Sequence, residues 1–162
     1  MFVKDVMTPD PVTIQADASV SEAASILRKK RIGGIPIMKG EILVGIVTET
    51  DLLSLLDVGE LSDDLWLPSP LEIIEIPIRE FVNWEKTRKA LTDISESPVS
   101  DIMSTDVICI DEEAEIEEAA KLMLSEGIAR LPVVRENRLI GIITRQDIVR
   151  GIGTSFPDED EE

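Results

Sequence analysis

One stretch of sequence occurs twice in this chain, and the repetition limits what the chain can fold into. Residues 45–51 read Gly-Ile-Val-Thr-Glu-Thr-Asp, and residues 141–147 read Gly-Ile-Ile-Thr-Arg-Gln-Asp. The two copies stand 96 residues apart, and the same offset aligns residues 3–53 with residues 99–149 without a gap. Because 16 of the 51 aligned positions are identical and most other apolar positions exchange one aliphatic residue for another, the chain contains a duplication.

Each copy of the stretch is typical of a strand that runs directly into a helix. The β-branched apolar residues before the threonine favour a buried strand. Thr48 and Thr144 can each cap the following helix, with Asp51 and Asp147 at its third position. A short turn around Gly40 precedes the first of these strands, so the pattern predicts a β-hairpin followed by a helix.

The remainder of each copy predicts the order β-α-β-β-α. A short extended piece at Val12–Ile14 comes first, and Ser19 and Glu22 then form a capping-box pattern before apolar residues at helical spacing. Both strands of each hairpin are almost wholly aliphatic, which predicts a sheet covered on both faces. We therefore expect an α/β (α+β) fold in which the two units pack sheet to sheet.

The alignment divides the chain into four parts. Residues 1–56 and 99–153 are the repeats, residues 57–98 are an insertion between them, and residues 154–162 are an acidic tail that we expect to be disordered. The insertion has a high apolar content, which predicts an ordered segment with a helix over 78–94.

Composition excludes several classes of function. The net charge of −17 argues against nucleic-acid binding, because the phosphate backbone requires clustered Lys and Arg side chains. Histidine is absent, which removes the commonest general base and metal ligand. With no nucleophile, base or metal cluster in view, we expect neither catalytic residues nor a metal site, and so no enzyme.

The sequence also predicts a cytoplasmic protein with no membrane partner. No apolar run approaches the roughly 20 residues of a membrane-spanning helix, and the N-terminus does not resemble a signal peptide. The single cysteine, Cys109, stands in the apolar run Val107–Ile110. We expect it to be a buried small residue rather than a redox or metal-binding thiol.

These motifs resemble a pair of cystathionine β-synthase (CBS) domains, the tandem often called a Bateman module. The resemblance rests on Asp-Val-Met-Thr at 5–8, Asp-Ile-Met-Ser at 101–104, the prolines of the two hairpins, Pro36 and Pro132, and the two Gly-x-x-Thr-x-x-Asp motifs. It implies clefts for regulatory adenosine ligands, namely AMP, ADP, ATP or S-adenosylmethionine, and no required cofactor. It also implies a homodimer that signals occupancy to another protein, whose identity the sequence does not reveal.

The resemblance assigns site residues as well. The threonine and aspartate of each motif face the ribose in this family, which implies ligand contacts by Thr48, Asp51, Thr144 and Asp147. From the residues alone, the same pairs could equally be capping boxes that only stabilise a helix.

Phosphate and adenine contacts follow in the same way. Arg130 offers a guanidinium suited to phosphate oxygens, whereas the first copy has Gly34, which supplies backbone N–H groups and room. Arg130 could instead pair with a surface acid. The family usually holds adenine by backbone groups near the short first strand, which implies Thr13, Ile14 and Ile110.

Two other functions remain open at this point. One is a structural or adaptor protein whose clefts are vestigial. The other is a module that responds to Mg²⁺ through the acidic run Asp111–Glu118, although carboxylates at a helix start also favour the helix dipole without any metal.

Overall fold

The computed structural model describes residues 1–55, 88–89 and 91–155. The first repeat contains seven elements: α1 (Val3–Val6), β1 (Thr8–Pro9), β2 (Ile14–Gln15), α2 (Val20–Lys30), β3 (Gly34–Lys39), β4 (Ile42–Thr48) and α3 (Glu49–Ser54). The second contains a 3₁₀ helix (Val99–Asp101), β5 (Ile110–Asp111), α4 (Ile116–Ser125), β6 (Arg130–Arg135), β7 (Arg138–Thr144) and α5 (Arg145–Ser155). The predicted order β-α-β-β-α is confirmed in both repeats, each preceded by a short helical segment.

Local sequence signals account for most of the element ends. Ser19 caps α2, because its side-chain oxygen accepts a hydrogen bond from the Glu22 backbone N–H at 3.1 Å. Strands β3 and β4 are joined by a two-residue turn that contains Gly40, whose φ of 62° suits glycine. The short strand β2 begins at Ile14, so Val12 and Thr13 precede it instead of forming part of it.

The strands form two sheets, of order β2-β3-β4 and β1-β7-β6-β5. Strand β1 belongs to the first repeat by sequence, yet it pairs with β7 of the second, with Thr8 opposite Ile142. The reciprocal contact is a bridge between Ile46 and Ser104, whose backbone N–H and C=O groups exchange hydrogen bonds of 2.9 and 3.0 Å. Each repeat therefore adds its N-terminal segment to the other repeat's sheet.

The hydrophobic cores show the same exchange. Val3 is fully buried in a cluster with Ala119 and other residues of the second repeat, and its N–H donates to the Ala114 carbonyl at 2.8 Å. Val99 is buried in the core of the first repeat, and its N–H donates to the Ala18 carbonyl at 2.7 Å. Because burial of an aliphatic side chain contributes roughly 1.5–3 kcal/mol, each repeat relies on the other to complete its core.

Two predicted segments lie partly outside the described residues. Of the insertion helix predicted at 78–94, residues 88–89 and 91–94 are helical, and the rest falls outside the description, as do residues 57–77 of the insertion and 156–162 of the tail. Helix α5 continues to Ser155, so it includes the first two residues of the predicted tail. Within the described part of the chain, no helix is long and apolar enough to cross a membrane.

Candidate functional site

Two clefts lie between the repeats, and the offset of 96 residues relates one to the other. Cleft 1 has a volume of about 660 Å³ and is lined mainly by residues within 46–51, 103–108 and 127–132, with Gly33 beside them. Cleft 2 has a volume of about 550 Å³ and is lined mainly by residues within 142–147, 8–12 and 31–36, with Glu49, Ala129 and Arg130 beside them. Each cleft therefore combines the Gly-x-x-Thr-x-x-Asp motif of one repeat with two segments of the other.

The exchange of N-terminal segments brings these parts together. Gly45 and Gly141 begin the two motifs, and each makes room for a methionine of the other repeat. A Cβ atom built on Gly141 would lie 2.5 Å from the Met7 sulfur, and one built on Gly45 would collide with the sulfur of Met103. Each motif therefore needs glycine at this position, because a larger residue would keep the methionine from approaching so closely. The chain that follows the methionine continues into the cleft wall.

Thr48 and Asp51 meet at the start of α3, in cleft 1. The Thr48 N–H and hydroxyl donate to Asp51 Oδ2 at 2.7 and 3.0 Å, and the Asp51 N–H donates back to the Thr48 hydroxyl at 3.3 Å. This is a complete capping box. Among the described residues, the second carboxylate oxygen, Oδ1, accepts no hydrogen bond.

Thr144 and Asp147 repeat this geometry in cleft 2, with one addition. The Thr144 N–H and hydroxyl each donate to Asp147 Oδ2 at 2.8 Å, while Asp147 Oδ1 accepts a hydrogen bond of 2.6 Å from Arg150. Asp147 is only 5% exposed. The equivalent of Arg150 in the first repeat is Ser54, which donates to the Thr50 carbonyl instead. The two aspartates therefore differ in how much of the carboxylate remains for a ligand.

Arg130 lies where the two clefts meet and lines both of them. Its guanidinium donates to the Gly33 carbonyl and packs over Gly34. Burial lowers the pKa of Arg130, and the charges of Glu49 and Asp51 oppose that shift. Arg130 therefore does not distinguish one cleft from the other.

The structure places the residues named for adenine in other surroundings. Ile14 and Ile110 are buried in the two hydrophobic cores, and Thr13 lines a separate cavity of about 440 Å³ beside Gln15. Their chain neighbours do reach the clefts: Val12 lines cleft 2, and Ile108 lines cleft 1. Each extended segment thus serves the cleft that holds the other repeat's motif.

Sequence reasoning missed several charged residues of the cleft walls, three of which differ from their counterparts in the other repeat. Arg31 and Arg145 line cleft 2, and Glu49 lines both clefts. The signal was present in the alignment, because Arg145 stands opposite Glu49 and Arg31 opposite Gly127 at the same offset. These unlike pairs contribute to the chemical difference between the two clefts.

Two carboxylates of the acidic run at 111–118 form ion pairs. Glu112 is buried and pairs with Arg135, and this hydrogen-bonded pairing lowers the pKa of Glu112. Glu113 pairs with Lys4 at 2.7 Å. Over residues 1–55, 88–89 and 91–155, no three acidic or cysteine side chains converge as a metal site would require.

Cys109 is half-buried, where the sequence predicted burial. Desolvation raises the pKa of its thiol. A reactive cysteine requires the opposite shift, toward the thiolate.

Comparison with known proteins agrees with this architecture. A family model for the CBS domain matches residues 3–58 and 99–154. A protein of Methanocaldococcus jannaschii is 35% identical over 154 residues, which cover 94% of this chain and 91% of that protein.

Solved structures of similar fold have been determined with adenosine ligands. CBSX2 of Arabidopsis thaliana in complex with AMP matches with a TM-score of 0.68 and 26% identity, over 95% of this chain and 97% of that one. The CBS domain pair of protein MJ0100, in complex with 5′-methylthioadenosine and S-adenosyl-L-methionine, matches with a TM-score of 0.70 and 26% identity, over 96% and 98%. The chain belongs to the CBS domain family, and its two repeats form a CBS domain pair.

Proposed function

We propose that this chain is a non-catalytic regulatory module that binds adenosine-containing ligands in its two clefts. The observation that carries the proposal is the pair of equivalent clefts, each with a threonine and an aspartate at the start of a helix. A carboxylate oxygen can accept both ribose hydroxyl protons. Similar structures in complex with AMP, 5′-methylthioadenosine and S-adenosylmethionine support the same ligand class.

A regulatory role fits the chemistry of the cleft walls better than catalysis. The sequence contains no histidine, and in both clefts the aspartate is tied to the backbone of its own helix start. The protein would require no cofactor to bind the adenosine ligand. Because each cleft combines segments of both repeats, an adenosine ligand would bridge them and stabilise one relative position. A cytoplasmic partner protein would respond to that position.

Homodimerisation is part of this proposal. Leu53 on α3 and Val149 on α5 stand at equivalent positions of the two repeats, and they are 65% and 69% exposed. Large aliphatic side chains at two related positions suit a twofold interface, in which the same patch is used by both subunits. Such an interface would place both motif helices against the partner subunit.

Thermal unfolding with a panel of nucleotides tests the binding function. AMP, ADP, ATP, S-adenosylmethionine and 5′-methylthioadenosine should each be tested, with GMP and CMP as controls for the base. At one hundred times its dissociation constant, a ligand stabilises the folded state by about 2.7 kcal/mol. The absence of any shift with every adenosine ligand at millimolar concentration would favour the alternative, a structural protein with vestigial clefts.

A further inference from the structure

The two clefts are built from equivalent positions, so any difference in their charge is a difference in what they can bind. Cleft 1 is lined by one guanidinium, that of Arg130, and by three carboxylates: Glu49, Asp51 and Asp106. Cleft 2 is lined by three carboxylates and three guanidinium groups: Asp10, Glu49 and Asp147 with Arg31, Arg130 and Arg145. The additional positive charge of cleft 2 comes from Arg31 and Arg145.

The backbone at Arg31 sets this residue apart. Arg31 ends α2 in the left-handed conformation, with φ 53° and ψ 45°. The second repeat has Gly127 at this position, with φ 65°, as expected for a left-handed residue. A non-glycine residue here costs conformational free energy, and such positions concentrate at functional sites. Position 31 nevertheless carries an arginine, and this arginine lines cleft 2.

The surroundings of the two motif aspartates, Asp51 and Asp147, also make cleft 2 less negative than cleft 1. In cleft 2, the charge of Asp147 is matched by Arg150, whose guanidinium donates to Oδ1 at 2.6 Å. In cleft 1, Ser54 stands in the place of Arg150 and is bonded to its own helix, so Asp51 keeps one carboxylate oxygen without a partner among the described residues. The carboxylate of cleft 2 therefore repels an anion less than that of cleft 1.

We propose that cleft 2 binds an adenosine phosphate, whereas cleft 1 binds an adenosyl ligand whose 5′ substituent is neutral or cationic. The inference rests on the proposed function, because it assumes that both clefts take adenosine ligands. Guanidinium groups bind phosphate oxygens through paired charge-assisted hydrogen bonds. The three carboxylates of cleft 1, which has a single arginine to balance them, disfavour a phosphate there.

Binding of ATP and 5′-methylthioadenosine to the full chain, measured by isothermal titration calorimetry, tests the inference. We expect one molecule of each ligand per chain, with neither displacing the other. Arg31→Gly and Arg145→Glu each install the residue of the other repeat. Arg31→Gly should weaken ATP binding about tenfold to a hundredfold, the loss of one charge-assisted hydrogen bond. Arg145→Glu should weaken it at least as much, because it also places a carboxylate in the cleft. Both variants should change binding of 5′-methylthioadenosine less than about twofold.

Two features of this design separate loss of contact from loss of folding. Glycine relieves the left-handed backbone at position 31, so Arg31→Gly should raise the melting temperature of the free protein while it weakens ATP binding. Arg28→Glu is the control for net charge, because Arg28 is exposed in the last turn of the same helix and lines neither cleft. It should leave ATP binding unchanged.

Several results would overturn the inference and leave the proposed function intact. These are equal weakening of both ligands in the two arginine variants, ATP binding that does not respond to either variant, competition of the two ligands for one site, and binding of only one of them. If the wild-type protein bound no adenosine ligand at all, the proposed function would fail, and the inference with it.

Discussion

Gly34 and Arg130 occupy equivalent positions in the two repeats, and they lie directly against each other. A Cβ atom built on Gly34 would stand 2.5 Å from Nη1 and 2.7 Å from Cδ of Arg130. The two positions face each other between the clefts, so there is room for a large side chain in only one of them. The difference between the repeats at this position is therefore a packing requirement, whatever ligand binds there.

A double-mutant cycle tests this packing. Gly34→Ala should destabilise the protein by about 1–3 kcal/mol, because the arginine must move aside. In an Arg130→Ala background, the same change should cost little, since the space is then open. Urea unfolding of the four proteins measures the coupling. Additive effects would mean that the two residues do not share the space.

The contact of Met7 with Gly141 gives a second prediction about stability. Gly141→Ala should destabilise by roughly 1–3 kcal/mol, because the new methyl group meets the Met7 sulfur and lies 3.1 Å from the Thr8 carbonyl oxygen. Gly153→Ala is the matched control, since no atom lies within 4 Å of its Cβ position in α5. There alanine should stabilise the helix by about 0.5–1 kcal/mol. Equal effects of the two changes, measured by urea unfolding, would contradict the proposed close approach.

The ion pair of Glu112 with Arg135 predicts a dependence of stability on pH. The hydrogen bond and charge of Arg135 hold the pKa of Glu112 below its ordinary value of 4.5. The folded protein therefore binds this proton less readily than the unfolded chain, so the pair stabilises the fold at neutral pH. That contribution should fall as the pH drops below about 4.5 and vanish below the lowered pKa.

Thermal melts of the wild type and Glu112→Gln between pH 7 and pH 3 measure this effect. The difference in melting temperature should be largest at pH 7 and shrink toward pH 3. The first repeat supplies a comparison, because Ala16 stands at the position of Glu112 and Lys39 at the position of Arg135. Lys39 therefore has no equivalent ion pair to lose, and the effect of Lys39→Ala on the melting temperature should not change with pH in this way. A difference that stays constant with pH would rule out the ionised pair as its cause.

The proposed dimer predicts that substitutions at Leu53 and Val149 act differently from a substitution at Leu124, although all three side chains are exposed. Leu53→Glu and Val149→Glu should convert the dimer to a monomer, because each would bury a charge in a twofold contact. Leu124 on α4 is 77% exposed and is the control, since Leu124→Glu should leave the dimer intact. Light scattering at micromolar concentration reports the mass. A monomeric wild type under these conditions would exclude the dimer.

The parts of the fold that were predictable from sequence are those determined over short distances along the chain. The turn at Gly40 and the caps at Ser19 and Thr48 each involve residues within a few positions of one another. The exchange of N-terminal segments was not predictable in this way. It depends on Val3 packing beside Ala119, and no local pattern records a contact between residues so far apart in sequence.

The candidate site divides along the same line. The capping geometry of Asp51 and Asp147 was predicted as one of two alternatives, because it depends on a threonine three residues away. Arg130 was predicted as a phosphate contact, but that it lines both clefts depends on how the repeats pack, which no local pattern records. The roles of Arg31 and Arg145 could have been suspected from the alignment, since each is charged where the other repeat has glycine or the opposite charge.

The last prediction separates the two roles of the motif aspartates. In Asp51→Asn, the amide oxygen can replace Oδ2 in the capping box, and the amide nitrogen takes the place of the unpartnered Oδ1. The free protein should lose about 1 kcal/mol or less. In Asp147→Asn, the amide nitrogen would face the Arg150 guanidinium, donor against donor. That variant should lose about 1.5–3 kcal/mol, the value of a hydrogen bond to a charged group.

The free protein should lose more stability in Asp147→Asn, whereas binding of 5′-methylthioadenosine should be weakened more in Asp51→Asn. At a concentration of 5′-methylthioadenosine that saturates the wild type, Asp51→Asn should lose most of the ligand-induced rise in melting temperature. The reason is that the ribose hydroxyls lose their acceptor in cleft 1. Asp147→Asn in an Arg150→Ala background controls for the donor clash, and its free protein should be more stable than Asp147→Asn alone. If Asp51→Asn lowers the melting temperature of the free protein but keeps the full ligand-induced rise, the carboxylate acts only as a helix cap. The ribose contact proposed for cleft 1 would then be wrong.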